Sequence, residues 1–358
     1  MRRPAAGVNR AHGGAAPPGA LDFSAPANPL GPPPGLREAV SECAALGSYL
    51  RYPSPSDYLN LLGAVSEFLD VDEDHIVLSN GSAELLSLIP LSLRARSLIV
   101  VEPNFGDHEL LARATSLELV RVVMRPSDNA FSLDEDGVIR AAKAARGPAV
   151  LVLSRPNNPT GLTVDEKAID RIASSLPRHA WMVVDEAFVD LCPSCRSLGD
   201  RDDIVVLRSF TKSLASPGLR LGVMVTADRR ALEAIAGSMQ AWPVDSITAC
   251  SLSKVLALKS TALHVERGKE IVRQELPRVT SALRSMGLKA FDSSAPYVLV
   301  RHTLPNPQFQ RSLLAHGFYV RDASTFYSLD SHYSRISIRS PAENDAILKA
   351  LEVVMGWA

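Results

Sequence analysis

Ser209-Phe210-Thr211-Lys212-Ser213-Leu214-Ala215-Ser216-Pro217-Gly218-Leu219-Arg220-Leu221-Gly222 follows directly on the apolar run Ile204-Val205-Val206-Leu207. A short run rich in β-branched residues reads as a buried strand, so Lys212 stands just past a strand end. A lysine held there, away from bulk water, gives up its proton more easily. Its neutral amine can then attack a carbonyl and form a Schiff base. Ser209, Thr211 and Ser213 supply hydroxyls, and Arg220 follows the lysine by eight residues. Hydroxyl donors and a forked cation are what a phosphate needs. Taken alone, the stretch also reads as a solvated loop with an ordinary lysine, so the surrounding chain has to decide.

Upstream of it, strands and helices alternate. Helices are expected over 35–46, 56–69, 81–93, 107–115, 134–145 and 165–176. Strands are expected over 75–78, 98–101, 119–123, 149–153, 181–184 and 204–207, with another at 222–225. Short apolar runs between helical segments predict an α/β fold, a mostly parallel seven-stranded sheet covered on both faces. Such sheets bind ligands at the carboxyl ends of their strands. Beyond Trp242-Pro243 the pattern changes. A long helix is expected from Thr248 to Arg284, broken near Pro277. Strands follow at 289–291, 297–301, 318–321 and 335–339, and helices at 308–316 and 342–355. The expected division is an N-terminal arm with its helix packing on the small domain (1–45), a large domain (46–245) and a smaller α+β C-terminal domain (246–358).

Net charge is −1, which gives no electrostatic footing for nucleic acid or an anionic membrane. No apolar run has signal-peptide or membrane-spanning length. The four cysteines, Cys43, Cys192, Cys195 and Cys250, are expected to be free, with Cys192-Pro193-Ser194-Cys195 a pair of loop thiols and no metal site. Together these predict a cytoplasmic protein.

The other motifs fall where a strand ends. Asn80-Gly81-Ser82-Ala83-Glu84 opens a helix whose free N–H groups suit a phosphate. Phe105, in Glu102-Pro103-Asn104-Phe105, could lie on an aromatic ring. Arg155-Pro156-Asn157-Asn158-Pro159-Thr160-Gly161 is a stiff turn from which an asparagine can donate to a ring hydroxylate. Asp185 ends the strand Trp181–Val184, and a buried carboxylate there needs a cationic partner such as a protonated pyridine nitrogen. Arg335 and Arg339 share one face of a late strand, and a guanidinium suits an α-carboxylate. A lysine, a phosphate cup and a carboxylate for a ring nitrogen point to pyridoxal 5′-phosphate.

The ordered set Asn28-Pro-Leu-Gly, Arg51-Tyr52-Pro, Gly81-Ser-Ala-Glu, Pro103-x-Phe105, Asn157-Asn158-Pro-Thr-Gly, Asp185-Glu-Ala-Phe188, Ser209-x-Thr-Lys212 and Arg220-x-Gly resembles the class I/II aminotransferase superfamily, the fold-type I pyridoxal phosphate enzymes. Within it the chain is most similar to the histidinol-phosphate aminotransferase branch and its threonine-phosphate decarboxylases. The arm His12-Gly13-Gly14 … Leu21-Asp22-Phe23-Ser24 and the segment Val320-Arg321-Asp322 carry that closer likeness. The resemblance implies that Lys212 binds the cofactor, Asp185 meets its ring nitrogen, Phe105 stacks on the ring and Asn158 donates to the ring hydroxyl. Gly81, Ser82, Ala83, Ser209, Thr211 and Arg220 would hold the phosphate. Tyr52 would reach it from the other subunit of a homodimer with shared sites. Phe188 stands where many relatives have a tyrosine. Arg335 would take the substrate carboxylate, and His12, Gly13, Asn28, Arg321 and Arg155 would line the substrate side.

The implied enzyme acts on an amino acid through a Cα carbanion. Three reactions compete: decarboxylation of threonine phosphate, transamination of the histidinol-phosphate kind, and elimination, replacement or C–C bond formation on a larger substrate such as S-adenosylmethionine. Arg155, Asp245 and Pro296 depart from the family pattern and favour such a refitted pocket. A non-catalytic cofactor-binding homologue is the alternative from another class. A fused regulator would carry a DNA-binding segment, and an inactive homologue would have lost Lys212 or Asp185; both residues are present.

Overall fold

The computed structural model describes residues 12–356. Its large sheet has seven strands in the order Ile76–Asn80, Leu221–Val225, Val205–Ser209, Ala180–Asp185, Ala149–Ser154, Ser97–Glu102 and Glu118–Val123. Leu221–Val225 runs antiparallel to both neighbours, and every other pairing is parallel. This is the mostly parallel sheet the alternation predicts. Its central strands are buried from end to end because helices cover both faces. Period-two alternation divides Ala149–Ser154: Leu151 and Leu153 enter one apolar cluster, Val150 and Val152 the other.

The chain direction explains how the motifs converge. Asn80, Glu102, Ser154, Asp185 and Ser209 are all carboxyl ends of parallel strands. Arg220 precedes the single antiparallel strand, so it emerges at the same edge.

A second, antiparallel sheet orders Lys289–Ala290, Tyr297–Arg301, Tyr333–Ser337 and Arg321–Asp322 over its own apolar cluster. The arm packs onto the same cluster: Leu21–Asp22 pairs in parallel with Phe318–Tyr319 as a separate two-stranded sheet, and Phe23 is buried in the cluster. The single strand expected over 318–321 is therefore two short strands in different sheets. The helix Leu36–Ala45 instead buries Leu36 and Ala39 in the core beneath the large sheet.

Three further expectations are corrected. The break in the long helix lies at Ala257-Leu258, between Ser246–Leu256 and Lys259–Ser285, and Pro277 sits inside the second helix. Leu258 is extended, and the Thr261 hydroxyl donates to the Val255 carbonyl, closing the first helix. Pro277 and Arg273 both face solvent, so water can serve the carbonyl that the proline leaves without a donor. The helix Arg229–Ala236 and the hairpin Arg125–Ser127/Ala130–Ser132 were not anticipated. The cysteines are not free: Cys43 bonds Cys250 across 207 residues, and Cys192 bonds Cys195. Cys43 lies on Leu36–Ala45 and Cys250 on Ser246–Leu256, two helices that pack together, a proximity only the fold creates. Among the described residues no helix is long and apolar enough to cross a membrane.

Candidate active site

A cavity of about 330 Å³ opens where the strand ends meet the arm and the small sheet, a size that suits a small organic ligand. Lys212 lines it from the single helical turn Phe210–Ser213. Burial, then the nearby Arg335 and Arg220, pull its ammonium down to about 8. Asp185 faces it across the cavity, held by the Ala187 N–H at 3.1 Å. Burial raises its carboxyl to about 6, with Glu186 adding to the rise and Lys212 opposing it.

The side expected to hold a phosphate is built from close approaches. Ser82 and Ala83 open the eleven-residue helix Ser82–Ser92 and line the cavity with Ser209, Thr211 and Arg220. The Ser209 and Thr211 hydroxyls are 2.9 Å apart. Gly81, at φ 74°, lies just behind this wall: a Cβ there would come within 2.6 Å of Arg220 Nη2. A Cβ on Gly222 would meet the Ser82 nitrogen at 2.1 Å. Both glycines let the arginine and the helix N-terminus share one spot.

On the opposite side, Arg335 donates to Asn158 Oδ1 and to the Ser24 carbonyl, and lies 5.0 Å over the Tyr297 ring. Its Nε is buried without a partner, and burial lowers its pKa to about 10. Arg321 donates to the Thr325 hydroxyl and stands 5.4 Å from the Phe326 ring centroid. His12 and Gly13 reach in from the arm, with the His12 ring 5.6 Å from Phe105 and its Nε2 3.8 Å from Asp107. Phe188 packs edge-on against Tyr297, whose hydroxyl donates to the Asn157 carbonyl.

Besides Gly81, three residues expected at the site do not line it. Asn28 lies behind the lysine: its N–H donates to the Lys212 carbonyl at 2.9 Å and its amide to the Ser213 carbonyl at 3.0 Å, tying the arm to that turn. Arg155 is 3 % exposed and turned away from the cavity. Its guanidinium is taken by Glu186, Glu166 and the carbonyls of Val164 and Arg196. Tyr52 is 70 % exposed and stacked on Trp242 outside this protomer's cavity. Arg339, which alternation placed beside Arg335, leaves the strand and pairs with Glu343.

The structure adds residues the sequence did not single out. Asp107 and His108 follow Phe105 at the start of the helix His108–Thr115, and Leu86 and Ser87 sit one helical turn beyond Ser82 and Ala83. The i to i+4 spacing was the available signal for that pair. His108 Nε2 donates to the Phe105 carbonyl at 3.2 Å, and burial keeps its imidazole neutral with a pKa of about 4.

A family model described as Aminotransferase class I and II matches residues 18–351. The chain belongs to the class I and II aminotransferases. As a member of that family it is a pyridoxal 5′-phosphate-dependent enzyme. It is 32% identical to a threonine-phosphate decarboxylase of Salmonella typhimurium, with 97% of each chain covered. It is 28% identical to a histidinol-phosphate aminotransferase of Thermococcus gammatolerans over 92% of this chain and 90% of that one. The fold superposes on the histidinol-phosphate aminotransferase of Clostridium acetobutylicum with a TM-score of 0.82 at 22% identity, covering 94% and 100%. This aminotransferase-family site fits the cofactor by its own chemistry. It offers an amine near neutrality, a buried carboxylate short of a cation, and a cradle with no room for a Cβ.

Proposed function

We propose that the enzyme decarboxylates O-phospho-L-threonine, breaking the Cα–carboxylate bond to release carbon dioxide and leave 1-aminopropan-2-yl phosphate. Two buried guanidinium groups, Arg335 and Arg321, line the cavity that holds Lys212; this observation carries the reading. A substrate with a carboxylate at one end and a phosphate at the other matches two such anchors. Two anchors also fix the pose, and the pose selects which Cα bond breaks. The threonine-phosphate decarboxylase of Salmonella typhimurium, matched over 97% of each chain, supports the same choice. Arg155, Asp245 and Pro296, the departures that favoured a refitted pocket, all lie outside the cavity lining. Asp245 caps the helix Ser246–Leu256 by accepting from the Thr248 N–H, and Pro296 gives its carbonyl to the Ile338 N–H.

In this reading Arg335 takes the carboxylate, and Arg321 with His12 takes the phosphate. Ser82, Ser209, Thr211 and Arg220 hold the cofactor phosphate, Asn158 meets its ring hydroxyl, and Phe105 covers its ring face. When bound, pyridoxal 5′-phosphate supplies the electron sink for the charge left on Cα. Asp185, ionised beside a ring cation, keeps that sink effective. Lys212 Nζ, poised near 8, carries the proton that Cα takes up in place of carbon dioxide. The exposed apolar set Leu46, Tyr49, Leu50, Tyr52 and Trp242 supports a homodimer in which Tyr52 serves the neighbour's site.

Product masses test the reaction. Cofactor-loaded protein given O-phosphothreonine should release one carbon dioxide per amine formed. A keto acid with no carbon dioxide would make the enzyme a transaminase and overturn the proposal.

A further inference from the structure

Arg155 and Glu186 form a buried ion pair directly beside the cofactor carboxylate. The two side chains are 4 % and 0 % exposed, and Arg155 Nη1 lies 3.3 Å from Glu186 Oε1. Glu186 follows Asp185 in the chain, and the Arg155 N–H donates to the Asp185 carbonyl at 2.9 Å. Neither Arg155 nor Glu186 lines the cavity, so neither can touch a ligand there.

The strand end therefore carries two adjacent carboxylates, and only Asp185 faces the site. Glu186 also accepts from the Ser197 hydroxyl at 2.6 Å and the Leu198 N–H at 3.0 Å, which hold it in place without adding a full charge. Among the cations around it, Arg208 is hydrogen-bonded to Asp190, while Arg155 bonds Glu186 itself. The second carboxylate on Arg155, Glu166, is 55 % exposed and screened by water. Lys212 and Arg335 line the cavity with Asp185, and Tyr297, buried outside the lining, also interacts electrostatically with it. Arg155 is thus the cation bonded directly to the buried carboxylate behind Asp185, while Arg208, shared with Asp190, also favours its charge. An unbalanced buried charge acts over several ångströms in low dielectric.

We propose that Arg155 is a positioning residue of this site: by neutralising Glu186 it confines the negative charge at the strand end to Asp185, and so sets the proton affinity of the cofactor. The inference rests on the reading above, with the cofactor on Lys212 and its ring nitrogen at Asp185.

The test is the pH titration of the visible absorption of the holoenzyme, in wild type, Arg155→Met, Glu186→Gln, the double variant and Arg155→Lys. In each, borohydride reduction and peptide mapping first locate the cofactor. Removing Arg155 leaves a bare carboxylate, so the chromophore should hold its proton more tightly and its pKa should rise by roughly one unit. Glu186→Gln should lower it, the double variant should restore it, and Arg155→Lys should stay near wild type. Unshifted titrations in both single variants overturn the proposal, as do shifts in the same direction, which would mean simple loosening. If Arg155→Met does not fold, Glu186→Gln decides: a downward shift supports the proposal and no shift overturns it. A label on a lysine other than Lys212 would overturn the cofactor placement instead, so the two failures are distinguishable.

Discussion

Arg335 donates through Nη1 to the side-chain oxygen of Asn158, joining a strand of the small sheet to the turn that follows a central strand of the large one. The cation read as the substrate's carboxylate anchor and the amide read as the cofactor's partner thus form one unit. With Oδ1 accepting from Arg335, Asn158 keeps its amide N–H groups for the ring hydroxyl.

Arg335→Lys should therefore disturb both ligands. Lysine keeps the charge but cannot make a two-pronged contact with a carboxylate while bonding Asn158. Steady-state kinetics should show kcat/KM reduced by about a hundredfold, and the visible spectrum of the resting enzyme should shift. A variant with wild-type kinetics would remove Arg335 from the substrate site.

Asp185→Asn should separate stability from activity. Burial raises the folded carboxyl from 3.8 to about 6, so the folded apoprotein binds more protons than the unfolded chain between those pH values. Apoprotein stability accordingly falls as pH rises through that window, by on the order of 2–3 kcal/mol. The asparagine variant should lose this dependence and melt higher than wild-type apoprotein at pH 7 by calorimetry. Its turnover, reconstituted with cofactor, should drop a hundredfold or more, because a neutral amide cannot hold a proton on the ring nitrogen. Parallel pH–stability curves for the two apoproteins would contradict the buried charge.

The large sheet was legible in the sequence because parallel strands covered on both faces must be apolar throughout, and Ser97–Glu102 and Ala149–Ser154 are. The cofactor-side cavity residues were legible for a related reason: Asp185 and Lys212 are polar interruptions at the ends of such runs. What escaped depends on partners far away in the chain. Arg155 looked like a substrate cation because Glu186 stands 31 residues away. Cys43 looked free because Cys250 reaches it only once two helices pack. Arg229–Ala236 is short and opens with two arginines, and its core face is small, with only Ala231 and Ile235 buried.

Cys43→Ser should weaken the fold measurably. The bond closes a loop of 207 residues between two packed helices, and bridges of this kind typically contribute about 2–4 kcal/mol. The urea midpoint of the oxidised wild type should exceed that of Cys43→Ser, and reductant should bring the two together. Four free thiols by mass spectrometry in freshly purified, unreduced protein would sink this expectation.

Composite sites can be tested by subunit mixing. Tyr52 is exposed on its own protomer, and the proposed dimer takes it to the neighbour's cofactor phosphate. Inactive Tyr52→Ala and inactive Lys212→Ala proteins, once exchanged, should recover part of the activity, since one of the two sites in each heterodimer is then complete. No recovery despite demonstrated exchange would argue for independent sites.

Arg321→Ala tests the choice of substrate. Arg321 is 7 % exposed and lines the cavity beside Phe326, away from the residues read as the cofactor's phosphate cup. Burial lowers its pKa from the usual arginine value, so a bound dianion would recover part of that cost. Removing it should cut kcat/KM for O-phosphothreonine by roughly a hundredfold or more. Cofactor occupancy and the resting spectrum should stay near wild type, because Lys212, Asp185 and Arg220 are untouched. Unphosphorylated threonine gives the contrast: its weak turnover should change little in the variant. Equal losses on both substrates would mean that Arg321 supports the cavity wall and does not read the phosphate.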